Sequence, residues 1–438
     1  MDHRKVTEMN ALPPDESANS LQLARHILHS VLESYSGPVA VSLWNGETIV
    51  GKDSSPCRII FRSPAPLRDM IMHRNILHWV ESYMAGEVDI EGDVEQVLAM
   101  NDSLQAFEMP WVKRLRLLRY AYRLPPAHAT DSIVERLSRR RQANSRSAIA
   151  AHYDVSNAFY RLWLDPEMVY SCAYFKDINQ SLARAQQDKL DYICRKLRLS
   201  PGQSLLDIGC GWGGLVCWAA RRYQVRAHGI TLSEQQYGYA LERVRRENLQ
   251  DLVTIELLDY RDLSEGVSYD RIVSVGMFEH IGIDNFPRYF GKIKHLLKPS
   301  GLFLNHGITS DTAWEDSLTT RFINQYVFPD GELARLTHVI ASMQDAGFEV
   351  FDVEGLRRHY MLTLRRWVEA LESGKEQAVE IVEEATYRLW RFYMASCAYC
   401  FEEGTSNVFQ VLAGHARQPI FIPLRRDDIY QTGEAGNV

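Results

Sequence analysis

The chain has 438 residues and a formal net charge of −7. That length exceeds one compact core and predicts two domains, or one with large additions, and the negative balance excludes binding to nucleic acid by bulk charge. Apolar residues make up 46% and charged residues 24%, the balance of an ordinary soluble enzyme. No run reaches the roughly eighteen apolar residues of a membrane span, and the polar opening MDHRKVTEMNALPPDES has no apolar signal core. A cytoplasmic protein is expected. Seven scattered cysteines suit reduced thiols. Cys397 and Cys400 form a CxxC, but no second Cys/His pair stands at metal-site spacing, so no metal is expected.

In chain order, residues 1–20 read as a disordered tail. Leu21, Ala24, Ile27, Leu28, Val31, Leu32 and Tyr35 recur at helical spacing and predict an amphipathic helix over 20–35. Val39, Val41 and Leu43 alternate up to Asn45-Gly46, with Thr48 to Gly51 beyond, which predicts a hairpin. Arg58–Phe61 reads as a further strand, and 67–85 and 93–107 as helices. Residues 21–110 thus form a small α+β domain with no visible catalytic constellation. Residues 111–148 are a basic helical linker carrying Lys113, Arg114, Arg116, Arg119, Arg123, Arg136, Arg139, Arg140, Arg141 and Arg146 among leucines and tyrosines. Either a solvated linker or a patch that meets anionic phosphate head groups explains it.

From about 150 strands and helices alternate. Ser204–Ile208, Val225–Ile230, Val253–Leu257, Tyr269–Val275 and Leu302–His306 read as strands, with Gly214–Tyr223 and Ser233–Glu247 as helices between the first three. Phe348–Val353 and Phe409–Ala413 complete a seven-stranded, mostly parallel, doubly wound α/β sheet. The domain spans 149–420, with helical insertions at 311–345 and 361–401 and a tail at 421–438. The second insertion carries Trp367, Tyr387, Trp390, Phe392, Tyr393, Tyr399 and Phe401.

The segment Leu205-Leu206-Asp207-Ile208-Gly209-Cys210-Gly211-Trp212-Gly213-Gly214 ends a strand and opens a helix. Its glycines permit a tight turn and close approach of backbone to ligand. A glycine turn alone also suits a dinucleotide. The acidic Asp207 favours a ligand with a cationic amino group and no phosphate, as in S-adenosyl-L-methionine. Asp259 follows the third strand, where an adenine amino group could be met.

Several longer motifs run in one order: His152-Tyr153-Asp154 with Asn157 and Phe159, Tyr170-Ser171-Cys172-Ala173-Tyr174-Phe175, the turn at 205–214, Gly229-Ile230-Thr231-Leu232-Ser233-Glu234-Gln235, Asp259-Tyr260-Arg261-Asp262, and Ser274-Val275-Gly276-Met277-Phe278-Glu279-His280. Over roughly 150–415 the chain resembles the cyclopropane-fatty-acyl-phospholipid and mycolic-acid cyclopropane synthase family. The resemblance implies a class I S-adenosylmethionine methyltransferase fold. It implies that Tyr170 and Ser171 close over the cofactor, and that Asp207, Gly209, Cys210, Gly211 and Gly213 form the turn at its amino-acid end. Thr231, Ser233, Gln235 and Gln236 would hold the ribose, and Asp259, Tyr260 and Arg261 the adenine. For catalysis it implies a bound bicarbonate as base, with Cys172, His306, Tyr360 and backbone around Ile308 as donors and Glu279 as acceptor. Cys397 matches a late cysteine of the family, and a structural role suits it better than a nucleophilic one.

The implied reaction adds a methylene group from S-adenosylmethionine to a cis double bond of unsaturated phospholipid acyl chains at a membrane surface. The implied molecule is a peripherally associated homodimer whose first domain engages lipid. Methyl branching of the acyl chain, a small-molecule methyltransferase and a non-catalytic lipid-binding protein with a relic cofactor fold are the alternatives.

Overall fold

The computed structural model describes residues 14–73, 76–105, 110–126, 156–311, 326–327, 332–419 and 422–430. The motif His152-Tyr153-Asp154 and the arginines from 136 to 146 lie outside them. The chain divides into two compact units, Met1–Leu137 with Glu384–Phe392, and Ser138–Glu383 with Tyr393–Val438.

The N-terminal unit has a four-stranded sheet in the order β2-β1-β3-β4, formed by β1 (Val39–Ser42), β2 (Thr48–Val50), β3 (Cys57–Phe61) and β4 (Val88–Glu91). The hairpin forms where Asn45-Gly46 predicts it. Gly46 takes a positive φ of 84°, and the Asn45 side-chain Oδ1 accepts the Glu47 N–H. β4 was not expected. It is short, and the expected helix at 67–85 is two helices, Ala65–His73 and Ile76–Met84, after which β4 turns back antiparallel to β3.

The first helix begins at Pro14, inside the expected tail. The unit also includes the helix Trp111–Tyr122, which packs on the helices Pro14–Val31 and Ala65–His73, so the first part of the expected linker is a packed element. Arg388 and Arg391, from the segment Glu384–Phe392, are buried here. Arg388 donates to the Tyr83 and Val88 carbonyls, and Arg391 to those of Ile90 and Gly92. The expected insertion 361–401 of the catalytic domain includes these residues, but Glu384–Phe392 belongs to the first compact unit.

The second unit is built on a seven-stranded sheet in the order β10-β11-β9-β8-β5-β6-β7. The strands are β5 (Ser204–Ile208), β6 (Arg226–Thr231), β7 (Val253–Leu257), β8 (Tyr269–Val275), β9 (Leu297–Ser310), β10 (Phe348–Gly355) and β11 (Ser406–His415). The pairs among β5, β6, β7, β8 and β9 are parallel; β11 runs antiparallel to both β9 and β10. β5 is central and buried on both faces, as a near-continuous apolar strand should be. Leu205, Val273, Leu304 and Leu412 face the helices Leu182–Lys196, Gly214–Tyr223 and Glu234–Arg246. Leu206, Ile208, Ile272, Phe303 and Val411 face the helices Phe286–Leu296 and Leu336–Asp345.

β9 is longer than the expected 302–306. Its turn-like Pro299-Ser300-Gly301 is accommodated as a bulge. Tyr269 pairs with Leu297 and Arg271 with Leu302, so the extra residues loop out within one strand. Beyond His306, where β8 stops, β9 runs on against β11 as far as Ser310. The expected C-terminal tail also packs in part. Ile429 of the short helix Asp427–Tyr430 is buried, and Arg195 donates to its carbonyl.

Gly229 of β6 passes close under the glycine turn. A Cβ at 229 would lie 2.9 Å from both Cβ and Sγ of Cys210 and 3.1 Å from Ile255 Cδ1. Gly229→Val is therefore expected to cost about 1–3 kcal/mol of stability, read as a lower midpoint in urea. An unchanged midpoint would contradict that close approach.

Candidate active site

A cleft of about 280 Å³ opens at the carboxyl ends of β5, β6 and β8, beside the point where strand order reverses on either side of β5. Ligands of open α/β sheets occupy this position. Tyr170, Ser171, Asp207, Gly209, Cys210, Gly211, Thr231, Ser233, Gln236, Asp259, Tyr260 and Arg261 all line it. Two expected cofactor residues do not. Gly213 stands behind the turn, where a Cβ would meet Ala240 Cβ at 3.2 Å, and the Gln235 side chain is exposed.

The floor of the cleft is the end of β5. Asp207 is 2% exposed, and its Oδ1 has no hydrogen-bond partner among the described residues. Burial raises its pKa from 3.8 to about 7, against the pull of Lys189. Past it, Gly209 and Gly211 take positive φ values of 88° and 55°. That conformation turns the backbone back over the strand end at little cost only for glycine. Cys210 N–H donates to the Ile230 carbonyl at 2.9 Å, tying the turn to β6.

On the next strand end, Thr231 Oγ1 donates to Gln236 Oε1 at 2.8 Å. Ser233 Oγ caps the helix Glu234–Arg246 by accepting the Gln236 N–H. Asp259 grips Arg261 through Oδ1 to Nε at 2.9 Å and Oδ2 to Nη2 at 2.6 Å. Tyr260 packs edge-on against Tyr289.

Lys189 was not anticipated. It is 2% exposed, lines the cleft, and donates from Nζ to Ser171 Oγ at 3.0 Å. One turn earlier, Gln186 donates to the Ser171 carbonyl at 2.9 Å, so one face of the helix Leu182–Lys196 holds the Tyr170-Ser171 loop. Burial lowers the Lys189 pKa to about 8, opposed by Asp165 and Asp207. The available signal was its place on the apolar face of that helix, with Ala185, Leu190 and Ile193. Tyr170 also sits among rings, 5.4 Å from Trp163 and 5.2 Å from Trp367.

The expected catalytic residues do not line this cleft, but several adjoin residues that do. Cys172 follows Ser171, and Glu279 precedes His280. Glu279 is buried in a 3-10 turn, Phe278–His280. Its Oε1 accepts the Ile308 N–H at 2.7 Å, and its Oε2 has no hydrogen-bond partner among the described residues. A side chain at 307 would strike the Phe278 ring, so Gly307 lets this turn close on β9. His306 is 2% exposed, and Gln410 Nε2 stands 3.1 Å from its Nδ1. That orientation leaves the ring proton on Nε2, and burial holds the imidazole neutral.

Cys172 is fully buried, its Sγ 3.3 Å from the Ala173 carbonyl and 3.9 Å from that of Leu356. Leu356 N–H donates to Val408, which pairs with Ile308. Tyr360 N–H donates to the same Leu356 carbonyl. Backbone hydrogen bonds therefore bring Tyr360 and Ile308 to the overhanging end of β9 and β11, where the Cys172 thiol meets the Leu356 carbonyl and Glu279 joins through Ile308. Cys397 stands on the helix Glu384–Glu403 beside Tyr393; burial pushes its thiol far up, as it does that of Cys172. Neither is a ready thiolate.

The sheet order and the cleft at the ends of β5 and β6 define a class I S-adenosylmethionine-dependent methyltransferase. The comparisons agree. A family described as mycolic acid cyclopropane synthetase matches residues 140–411, and a domain of unknown function matches 27–106. A probable fatty acid methyltransferase of Pseudomonas putida is 41% identical, over 92% of this chain and 99% of its own. The cyclopropane-fatty-acyl-phospholipid synthase of Escherichia coli K12 is 40% identical, over 66% of this chain and 74% of its own. The crystal structure of mycolic acid cyclopropane synthase CmaA1 complexed with SAH and CTAB superposes with a TM-score of 0.58 at 34% identity, covering 61% of this chain and 97% of that one. The chain belongs to the mycolic acid cyclopropane synthetase family, whose members act on lipid acyl chains.

Burial raises Glu279 from an ordinary 4.5 to about 7. A carboxyl whose folded pKa is raised destabilises the fold increasingly from about pH 4.5 to 7, and fully above that. Glu279→Gln removes this penalty. Its stability relative to wild type should rise between pH 5 and pH 8 by up to about 3 kcal/mol, measured by urea unfolding at each pH. A pH-independent difference would place the titration elsewhere.

Proposed function

We propose that the chain transfers a methylene group from S-adenosylmethionine to a cis double bond in an acyl chain of an unsaturated phospholipid, closing a cyclopropane ring. The observation that carries this reading is the placement of the buried Glu279–Ile308 contact and Cys172 directly beside the Asp207 cleft. The cleft suits the cofactor. The unpartnered Asp207 oxygen offers a carboxylate to a cationic amino group, and Thr231 and Gln236 offer hydroxyl and amide groups to a ribose. When bound, the cofactor supplies an electrophilic methyl group on sulfur.

The π electrons of the alkene would take that methyl as its bond to sulfur breaks, the electron pair leaving on sulfur as S-adenosylhomocysteine and a carbocation remaining on the chain. The ring of Tyr170, which lines the cleft and packs against Trp163 and Trp367, suits such a cation. Loss of a proton from the new methyl closes the ring, so a base must stand close by. A bound bicarbonate would supply it. The residues proposed to hold it are Cys172, His306 and Tyr360 as donors and Glu279 as acceptor. The neutral His306 with its proton on Nε2 and the open Glu279 Oε2 support that assignment. The Ile308 N–H is already engaged by Glu279, which shifts the donor load to the other three. No step needs a covalent intermediate on Cys397.

A second reading, methyl branching of the acyl chain, draws support from the Pseudomonas putida relative, which matches nearly the whole chain and is named a probable fatty acid methyltransferase. Among the described residues no helix is long and apolar enough to cross a membrane, so access to acyl chains is proposed to occur from the surface, by a homodimer.

With S-adenosylmethionine and unsaturated phospholipid vesicles, the product should gain one CH2 per double bond and lose its unsaturation. Mass spectrometry and NMR check this: ring protons support ring closure, vinylidene protons support branching, and neither product contradicts both. Glu279→Gln and His306→Ala should lower turnover about 100-fold or more with cofactor affinity near wild type. Loss of cofactor binding in both would refute the assignment.

A further inference from the structure

The helix Trp111–Tyr122 has two faces of different character. Leu117 and Ala121 form its inner line, continued by the buried Leu124. His26 stacks on Tyr120 at 5.6 Å, and Lys113 reaches Glu33 at 2.7 Å. This face is fully used within the N-terminal unit.

The other face is apolar and open. Trp111 is 73% exposed, Leu115 56% and Tyr122 73%, with Leu118 half-buried between them. Their spacing of four, three and four residues places them in one stripe. Val112 adds a further exposed apolar residue at its edge. Arg114 flanks the stripe on one side, and Arg116, Arg119 and Arg123 on the other, all exposed. From Trp111 to Arg123 there is no acidic residue, in a chain whose net charge is −7.

Exposed Trp, Tyr and Leu cost solubility unless something covers them. A second copy of the same face is a poor cover, because a two-fold contact would bring its arginines against one another. A nucleic-acid strand would satisfy the arginines but leave the leucines in water. An anionic lipid interface satisfies both, with aromatic rings at head-group depth and leucines below.

We propose that this helix lies in the plane of a membrane interface, its Trp111–Tyr122 stripe entering the acyl region and its arginines meeting anionic head groups. The proposal rests on the reading that the substrate is a phospholipid acyl chain. It names the segment that brings the enzyme to that substrate.

The test is sedimentation of the full chain with vesicles of phosphatidylcholine alone or mixed with phosphatidylglycerol. Wild type should bind the mixed vesicles more tightly, and less so as salt rises. Arg116→Gln/Arg119→Gln/Arg123→Gln should weaken that binding about 100-fold, at about fivefold per arginine. Leu115→Glu/Tyr122→Glu should abolish it while the urea unfolding transition of the full chain, which reports folding of both units, stays unchanged. As a check without inserted charge, vesicles with brominated acyl chains should quench a part of the fluorescence that Trp111→Phe removes. If wild type binds and these variants bind equally, the helix is not the docking element, although the lipid reading stands. If wild type binds no vesicle, both fail. If the glutamate variants change only the oligomeric state, the stripe is a contact between copies and the proposal is overturned.

Discussion

A single buried carboxylate organises this molecule. Asp207 sits within the central strand, between β6 and β8, where water cannot solvate its charge. Few sequences tolerate such a residue unless a cation visits it. Lys189 meets part of that need from the helix behind, and the same ammonium holds Ser171 at the edge of the cleft. The amino-acid end of the proposed cofactor thus faces a site with both signs of charge, fixed on a strand and a helix, not on loops. The glycine turn adds only shape, since its backbone tolerates the approach of a ligand that Asp207 attracts.

The second constraint is the antiparallel insertion of β11 between β9 and β10. It lets β9 continue past the end of β8, and that overhang carries Ile308 to the Glu279 carboxylate. The same pairing holds Leu356 through Val408, and so locates Cys172 and Tyr360. The proposed chemistry is therefore assembled from backbone pairing. The thiols of Cys172 and Cys397 are held neutral by burial, which suits packing or hydrogen bonding and not nucleophilic attack.

The parts legible in sequence are those whose signal is local. Ser204–Ile208 and Gly214–Tyr223 appear where their apolar runs and neighbouring glycines place them, and Val253–Leu257 where its alternating Val, Ile and Leu place it. β4 was missed because four alternating residues behind a helix carry little periodicity. β9 was cut short because Pro299-Ser300-Gly301 looks like a turn, and a bulge uses the same residues. Lys189 escaped notice because a lysine in a helix ordinarily faces water, and only the tertiary position of Asp207 and Ser171 explains it. Among the resembling motifs, Gly213 and Gln235 lie outside the cleft lining: Gly213 packs behind the turn against Ala240, and the Gln235 side chain is exposed.

The central claim is that Asp207 receives the cationic amino group of the cofactor. In the free protein its pKa of about 7 leaves it partly protonated at pH 6.5. A cation placed beside it lowers that value and expels the proton. Calorimetric titration of S-adenosylhomocysteine at pH 6.5, in buffers of different ionisation enthalpy, measures the affinity and the protons released together. Release of protons by wild type, with Asp207→Asn losing that release and binding at least about 10-fold more weakly, is the expected result. Equal affinity and equal proton release in the two proteins would contradict the claim.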